Sequence, residues 1–235
     1  MAKKTGRADA AKARGGDGAE EFPWDEKRGR GDRQDCAGDA VQGRGHLREY
    51  ADDIRRAVEV MSRGGVIVYP TDTIWGIGCD ACNPDAVRRV YEIKRRSDAK
   101  ALITLVDSVA KVQFYVREMP DVAWDLVELA TSPLTVIYDG ARNLAPNLLA
   151  EDGSAAIRVT REEFSRNLCM RMRRAVVSTS ANISGSPAPK CFADISPEIL
   201  AAADYVCTSR RGESHNPPAS SIIKLGAGGE VQIIR

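Results

Sequence analysis

The stretch Gly64–Asp107, GGVIVYPTDTIWGIGCDACNPDAVRRVYEIKRRSDAKALITLVD, decides how the rest of the chain is read. Val66 to Tyr69 is a short apolar, β-branched run, too short for a helix, and Pro70 ends it, so it reads as a strand. Thr71, Asp72 and Thr73 then crowd side-chain oxygens onto a turn at the strand's carboxyl end, where open α/β sheets usually hold ligands. A helix follows, with Asn83 as N-cap and Pro84 at its first position. Val87, Val90, Tyr91 and Ile93 are spaced to bury one of its faces. Its end carries Lys94, Arg95 and Arg96, and Ala101 to Val106 returns to strand. A hydroxyl-lined turn and three cations joined by one helix suggest a site for a small polar molecule and an anion. The competing reading of the cations is complementation of the helix dipole, since last turns favour Lys and Arg.

Outward from that stretch the chain of 235 residues changes character. Residues 1–45 are Lys, Arg, Asp, Glu, Gly and Ala with Phe22 and Trp24 standing alone, a composition that predicts a disordered tail. The tail has no apolar stretch of the kind a secretory signal needs, and it is too acidic for an organellar transit peptide. Residues 46–235, roughly 190, suffice for one domain with a substantial core. The formal net charge of +1 argues against a large uniform nucleic-acid field, though not against a local basic cleft. No apolar run approaches membrane-spanning length. Six cysteines are present, and Cys79-Asp80-Ala81-Cys82 forms a C-x-x-C before a helix. Without a second ligand pair or a thioredoxin-like context, these read as buried, reduced thiols in a cytosolic protein.

Within the expected domain, Leu47 to Arg63 is predicted as an amphipathic helix stopped by Gly64-Gly65. Helices are expected over Val109–Val116, Val122–Ala130, Glu162–Arg173 and Pro197–Ala203. Strands are expected over Leu134–Tyr138, Ala155–Thr160, Ala175–Val177 and Tyr205–Thr208, with Leu144–Asp152 irregular. Alternation in Ala155–Thr160 sets Ile157 and Val159 against Ala156, Arg158 and Thr160. Arg158 is then either a solvated side chain or an inward-facing ligand for an anion. Ser178-Thr179-Ser180-Ala181-Asn182 is a second oxygen-rich turn, and Pro217-Pro218-Ala219-Ser220-Ser221 a third. Ile222–Leu225 and Val231–Arg235 close the chain as a hairpin. The pattern predicts an α/β domain with a twisted mixed sheet and helices packed on it.

Known catalytic patterns are mostly missing. There is no G-x-x-x-x-G-K-[ST] and no G-x-G-x-x-G, so any phosphate would be held by side chains. The two histidines, His46 and His215, make a Ser-His-Asp triad or a His-rich metal site a poor fit, and no metal ligands are assigned. This inventory suits chemistry by positioning and electrostatics.

Taken together, PTDTIWGIG (Pro70–Gly78), the K-x-R at Lys94 and Arg96, the AIRV strand around Arg158, STSANISG (Ser178–Gly185) and the Ser220-Ser221 turn resemble the YrdC-like family of bacterial threonylcarbamoyl-AMP synthases, in the short TsaC-type form without an extra C-terminal domain. The resemblance spans Leu47 to Arg235. It implies an α/β fold with a deep basic cleft. It also implies a nucleotidyltransferase that makes threonylcarbamoyl-AMP and pyrophosphate from L-threonine, bicarbonate and ATP, with Mg²⁺, for tRNA threonylcarbamoyladenosine modification. Implied partners are downstream threonylcarbamoyl-transfer proteins and a contact to tRNA or double-stranded RNA, with no membrane. By position, Thr71 and Thr73 resemble threonine contacts, and Lys94 and Arg96 the triphosphate clamp. Ser180 and Asn182 resemble an S-x-N element at the ATP and threonine site, and Arg158, Ser220 and Arg235 further cleft contacts. Lys100, in Lys100-Ala101-Leu102 where the family has Asn-Pro-Leu, is assigned to the ATP site. Ala130-Thr131-Ser132-Pro133-Leu134-Thr135 replaces the family's Trp-Pro-Gly-Pro-Leu-Thr. The competing function is a non-enzymatic RNA-binding or ribosome-maturation factor of the same fold.

Overall fold

A computed structural model describes residues 40–96, 102–213, 219–226 and 228–235, with side chains from residue 50 onward. The expected tail lies outside the described residues as far as residue 39, and so do Lys100 and the Pro217-Pro218 part of the third hydroxyl turn. The elements in order are α1 (Ala40–Ser62), β1 (Ile67–Tyr69), β2 (Gly76–Gly78), α2 (Pro84–Lys94), β3 (Ile103–Val106), α3 (Val109–Tyr115), α4 (Asp121–Leu129), β4 (Leu134–Tyr138), β5 (Ala155–Val159), α5 (Glu163–Met172), β6 (Val176–Ser180), α6 (Pro197–Ala202), β7 (Tyr205–Val206), β8 (Ser221–Leu225) and β9 (Val231–Ile233). Short 3-10 turns occupy Pro146–Leu148 and Phe192–Asp194.

The strands form one mixed sheet in the order β7-β1-β2-β6-β3-β5-β4-β8-β9. The pairs β1–β7, β3–β5 and β4–β8 are parallel and the rest antiparallel. Successive residues of β1, β2 and most of β5 are buried, so the central strands are covered on both faces. Helix α1 packs on α5, β1 and β7, while α3 packs on β3 and β5. Tyr50 and Phe164 meet edge to face at 5.6 Å between α1 and α5. A buried carboxylate fastens the β7 end: Asp53 accepts from the Tyr205 hydroxyl (2.5 Å) and from the backbone N–H of Thr208 (2.9 Å) and Ser209 (2.7 Å). Burial pushes the Asp53 carboxyl up, and these hydrogen bonds together outweigh it and leave the pKa lowered.

The expected mixed sheet is present, but three local readings are corrected. Helix α1 starts at Ala40, not Leu47, because a helix anchored by its packed end extends at little cost through residues that lack an apolar pattern. Strand β2, between the Thr71–Thr73 turn and the helix, has no counterpart among the expected strands: two of its three residues are glycine, which is depleted in strands. Thirdly, Ser178 to Ser180 belong to β6 and not to a turn, since Ser178 pairs with Ile103 and Ser180 with Gly76.

The glycines of β2 answer to close packing. A Cβ on Gly78 would lie 2.1 Å from the Val177 carbonyl oxygen and 2.9 Å from the Tyr69 ring, and one on Gly76 would lie 3.2 Å from the Thr71 methyl. Tyr69 itself is fully buried and its hydroxyl reaches the Val177 carbonyl at 3.4 Å. Gly78→Ala is therefore expected to destabilise the fold by about 3 kcal/mol, the upper range for overpacking a core. A lowered urea midpoint at unchanged slope is the measurement, and an unchanged midpoint would refute this account of β2.

Candidate functional site

The strand register gathers the site on one face. Residues paired across a sheet point to the same side, and so do residues two apart along a strand. Gly76 pairs with Ser180, Ser178 with Ile103, Ile103 with Ala156, and Arg158 with Thr135. Ser178, Ser180, Arg158 and Thr135 thus share a face with Gly76 and Gly78.

The loop between β1 and β2 packs against Gly76, where a Cβ would lie 3.2 Å from the Thr71 methyl. Thr71 is its internal frame: its hydroxyl donates to the Ile74 carbonyl (2.7 Å), accepts from the Thr73 N–H (3.2 Å) and lies 3.2 Å from the Thr73 hydroxyl. The Thr71 side chain is thereby used within its own loop, and Thr73 is held by it. At the tip, Asp72 reaches Arg158, with Nη2 and Oδ1 3.0 Å apart and only 5% and 15% of the two side chains exposed. The two alternatives for Arg158 resolve inward. The pair is close but not aligned for a hydrogen bond, and both Asp72 Oδ1 and Arg158 Nε are buried without a hydrogen-bond partner.

Helix α2 delivers the cations. Its start is capped by Asn83, whose side chain accepts from the N–H of Asp85 and Ala86, with Pro84 in the first turn. Ala86, Val87, Val90, Tyr91 and Lys94 form the buried face, and Arg95, in the left-handed region at φ 49°, ends the helix. Lys94 does not stop at the helix terminus. Its ammonium donates to the Ser180 carbonyl (2.5 Å), the Asn182 carbonyl (2.7 Å) and Asn182 Oδ1 (3.3 Å), while its own carbonyl accepts from Ser184 N–H (2.9 Å). The Asn182 amide nitrogen donates to the carbonyls of Ile183 and Ser186, closing the turn on itself. Arg95 leaves for Glu198 across to α6. Arg96 stays half-buried beside Lys94, and the two line an open cleft of about 440 Å³ together with Arg95, Ser180, Asn182, Ser184 and Gly185. Burial, then the charge of Arg96, push Lys94 down to about 8, against three oxygens that favour its ammonium form. Burial also lowers Arg96.

A second group lies along β5, β4 and β8. Thr135 and Ser220 share a buried hydroxyl contact of 3.1 Å, and the Arg235 guanidinium donates to the Ser220 carbonyl at 3.1 and 3.3 Å. The expected residues therefore fall into two sets: Lys94, Arg96, Ser180 and Asn182 around one cleft, and Arg158, Ser220 and Arg235 around the other end of the face. The loop bearing Thr71, Asp72 and Thr73 stands between them. Sequence reasoning left Asp72 without a role. Its signal was a carboxylate flanked by two hydroxyls with an arginine unplaced on a nearby strand. The C-x-x-C cysteines are free thiols; burial pushes Cys82 up to about 12 and Cys79 higher, so neither is a ready thiolate. Among the described residues no cluster of three His, Cys, Asp or Glu could hold a metal, and no helix is long and apolar enough to cross a membrane.

The sign of Lys94's shift gives a test of this geometry. The unfolded chain keeps the extra proton up to about pH 10.4, whereas the folded chain releases it from about 8, so the buried charge weakens the fold below 8 and ceases to do so above 10.4. Relative to Lys94→Met, wild-type unfolding free energy should rise between these limits by up to roughly 3 kcal/mol. Urea unfolding at pH 7.5 and 10.5 measures it, and a constant difference would place the ammonium in water.

The comparisons with known proteins agree on one family. The profile of the family Sua5_yciO_yrdC, described as "Telomere recombination", matches residues 59–235. A threonylcarbamoyl-AMP synthase of Xanthomonas euvesicatoria pv. vesicatoria (strain 85-10) is 33% identical over 168 residues, covering 70% of this chain and 90% of its own. The crystal structure of E. coli YciO superposes with a TM-score of 0.67 at 22% identity, over 77% of this chain and 87% of that one. P. abyssi Sua5 complexed with L-threonine superposes with a TM-score of 0.66 at 24% identity, over 73% of this chain and half, 50%, of that one. These two structures share the fold.

Proposed function

The chain belongs to the Sua5/YciO/YrdC family, and from that premise we propose that it is a threonylcarbamoyl-AMP synthase, joining L-threonine, bicarbonate and ATP with release of pyrophosphate. The reaction class would be nucleotidyl transfer, in the cytoplasm. The observation that carries this reading is the Lys94–Arg96 cleft walled by the Ser180–Asn182 turn, beside a loop of buried hydroxyls. It suits an anion and a small zwitterion side by side. Two relatives support the substrates: the Xanthomonas protein by its name, and P. abyssi Sua5 by the L-threonine in its complex.

The chemistry asks little covalent work of the protein. Threonine's amine bonds to the carbon of bicarbonate, a C–O bond of which breaks with loss of water, and the resulting carbamate oxygen attacks the α-phosphate of ATP in line and expels pyrophosphate. Nucleophilicity comes from the carbamate, so the chain must align two substrates and disperse charge. We assign Arg96 to the phosphates. Lys94 adds its charge from the cleft floor while holding the carbonyls of Ser180 and Asn182 in place. Thr73, with Ser180 and Ser220, would present hydroxyls to the amino acid, and Thr71 would keep Thr73 in position. Arg158 and Arg235 supply cations at the far end of the face, Arg235 through its hold on Ser220. With no metal cluster among the described residues, Mg²⁺ would arrive on ATP, held by phosphate oxygens and water. The product would pass to threonylcarbamoyl-transfer proteins acting on tRNA. The RNA-binding alternative is not favoured, since relatives over most of the chain carry the synthase name.

Pyrophosphate release from ATP is the direct assay, and it should require both threonine and bicarbonate. Turnover indifferent to threonine would sink the reading. Arg96→Ala should lower kcat/KM at least about 100-fold, the scale for losing a charge-stabilising contact. In the wild type, kcat/KM for ATP should fall as pH rises through about 8, when Lys94 loses its proton. Lys94→Arg should move that limb to higher pH.

A further inference from the structure

Asp72 is largely covered, and the fold does not explain why its Oδ1 is buried. Ion pairs this deep normally fill their hydrogen-bonding capacity, because each unmet group costs stability. Here Asp72 Oδ1 and Arg158 Nε both remain without a hydrogen-bond partner although the side chains approach to 3.0 Å. The pair is therefore arranged to receive a third polar group. Asp72 sits between Thr71 and Thr73, the hydroxyl loop given above to the amino acid. It also lines an open cavity of about 160 Å³ with Val127, Ser132, Leu134, Arg161 and Glu162.

The reaction supplies a need that matches. An α-amino acid in neutral water carries an ammonium with no free electron pair, and it must lose a proton before its nitrogen can bond carbon. Resting on the functional reading above, the geometry points to Asp72 as the group that takes this proton. An N–H bond breaks, its electron pair stays on nitrogen as the amine lone pair, and a carboxylate oxygen of Asp72 gains the O–H bond. The proton then leaves through the cavity to bulk water, and nothing is oxidised or reduced. Arg158 acts as a positioning residue that fixes the carboxylate.

The surroundings favour proton uptake. Burial pushes the Asp72 carboxyl up; Arg158 pulls the other way, Glu162 at the start of α5 adds to the rise, and Arg210 beyond β7 opposes it. Tyr69 from β1 also faces this group. Arg161 shares the cavity, but its guanidinium is engaged by the carbonyls of Val127 and Glu128. The thiols of Cys79, Cys169 and Cys207 are buried and pushed well up, which removes them as bases.

The test is Asp72→Asn in the full chain, read as kcat/KM for threonine from pH 6 to 8 at saturating ATP and bicarbonate. At pH 7 the variant should be at least about 100-fold slower, the scale of a lost proton acceptor. It would depend on the free-amine fraction, so the wild-type advantage should shrink about tenfold per pH unit. Asp72→Glu should restore part of the rate with a wild-type pH profile, and it carries the same test should the Asn variant fail to fold. A pH-independent ratio, or an unimpaired variant, overturns the proposal and leaves the synthase reading standing. Wild-type release that ignores threonine defeats both, and does so before any variant is compared.

Discussion

The site depends on one ammonium group. Lys94 projects from the last turn of α2 into a nearly closed position, 1% exposed, where three oxygens of the Ser180–Asn182 segment surround it. Burying a charge is costly unless it is well hydrogen-bonded, and here all three ammonium protons have acceptors within reach. The contact is reciprocal, because Ser184 N–H returns to the Lys94 carbonyl. A helix end and a strand end 86 residues apart in sequence are fastened together. Arg96 and the hydroxyl of Ser180 flank the same cleft as a consequence. Without the tie, the backbone and side-chain oxygens of Asn182 would lose their Lys94 donor, the Ser180 carbonyl would keep only the Asn182 N–H, and the cleft would lose one wall.

Why the sequence revealed some of this and not the rest follows from the range of the forces involved. Helix α2 was legible because its signals are local: Asn83 and Pro84 at one end, apolar spacing through Tyr91, and three cations at the other. Strand β2 was not legible, since Gly76 and Gly78 are dictated by Tyr69, Thr71 and Val177, which neighbour them only after folding. Alternation put Arg158 on the right set of positions in β5, but the loop that covers it comes from the other side of the sheet order. The cations at Lys94 and Arg96 were readable as a pair. Their division of labour was not, because the acceptors of Lys94 are backbone carbonyls, which leave no mark in a sequence. The C-x-x-C was the most motif-like feature and became the least consequential, with Cys79 buried, Cys82 half-buried and both pKa values raised.

The two cationic sets are built on opposite principles. Lys94 is fully satisfied and holds shape. The Asp72–Arg158 pair is buried yet incompletely hydrogen-bonded, which is unfavourable for stability alone. Buried polar groups left without a hydrogen bond go with strain, a catalytic role or bound water, and on the reading proposed above a ligand completes this pair beside the well-bonded frame of Thr71.

This arrangement also fits what the reaction requires of its surroundings. A carbamate is short-lived in water, so the amino acid must be deprotonated, carboxylated and brought to the α-phosphate without leaving the site. On the proposed reading the amino-acid loop packs over Gly76, whose partner across the sheet is Ser180, and the Ser180 carbonyl is held by the lysine that shares a cleft with Arg96. Proximity would then be set by the pairing of β2 with β6 and by the hydrogen-bonded frame that Thr71 gives the loop. The glycines that made β2 hard to recognise are what let Tyr69 and the Thr71 loop pack against it.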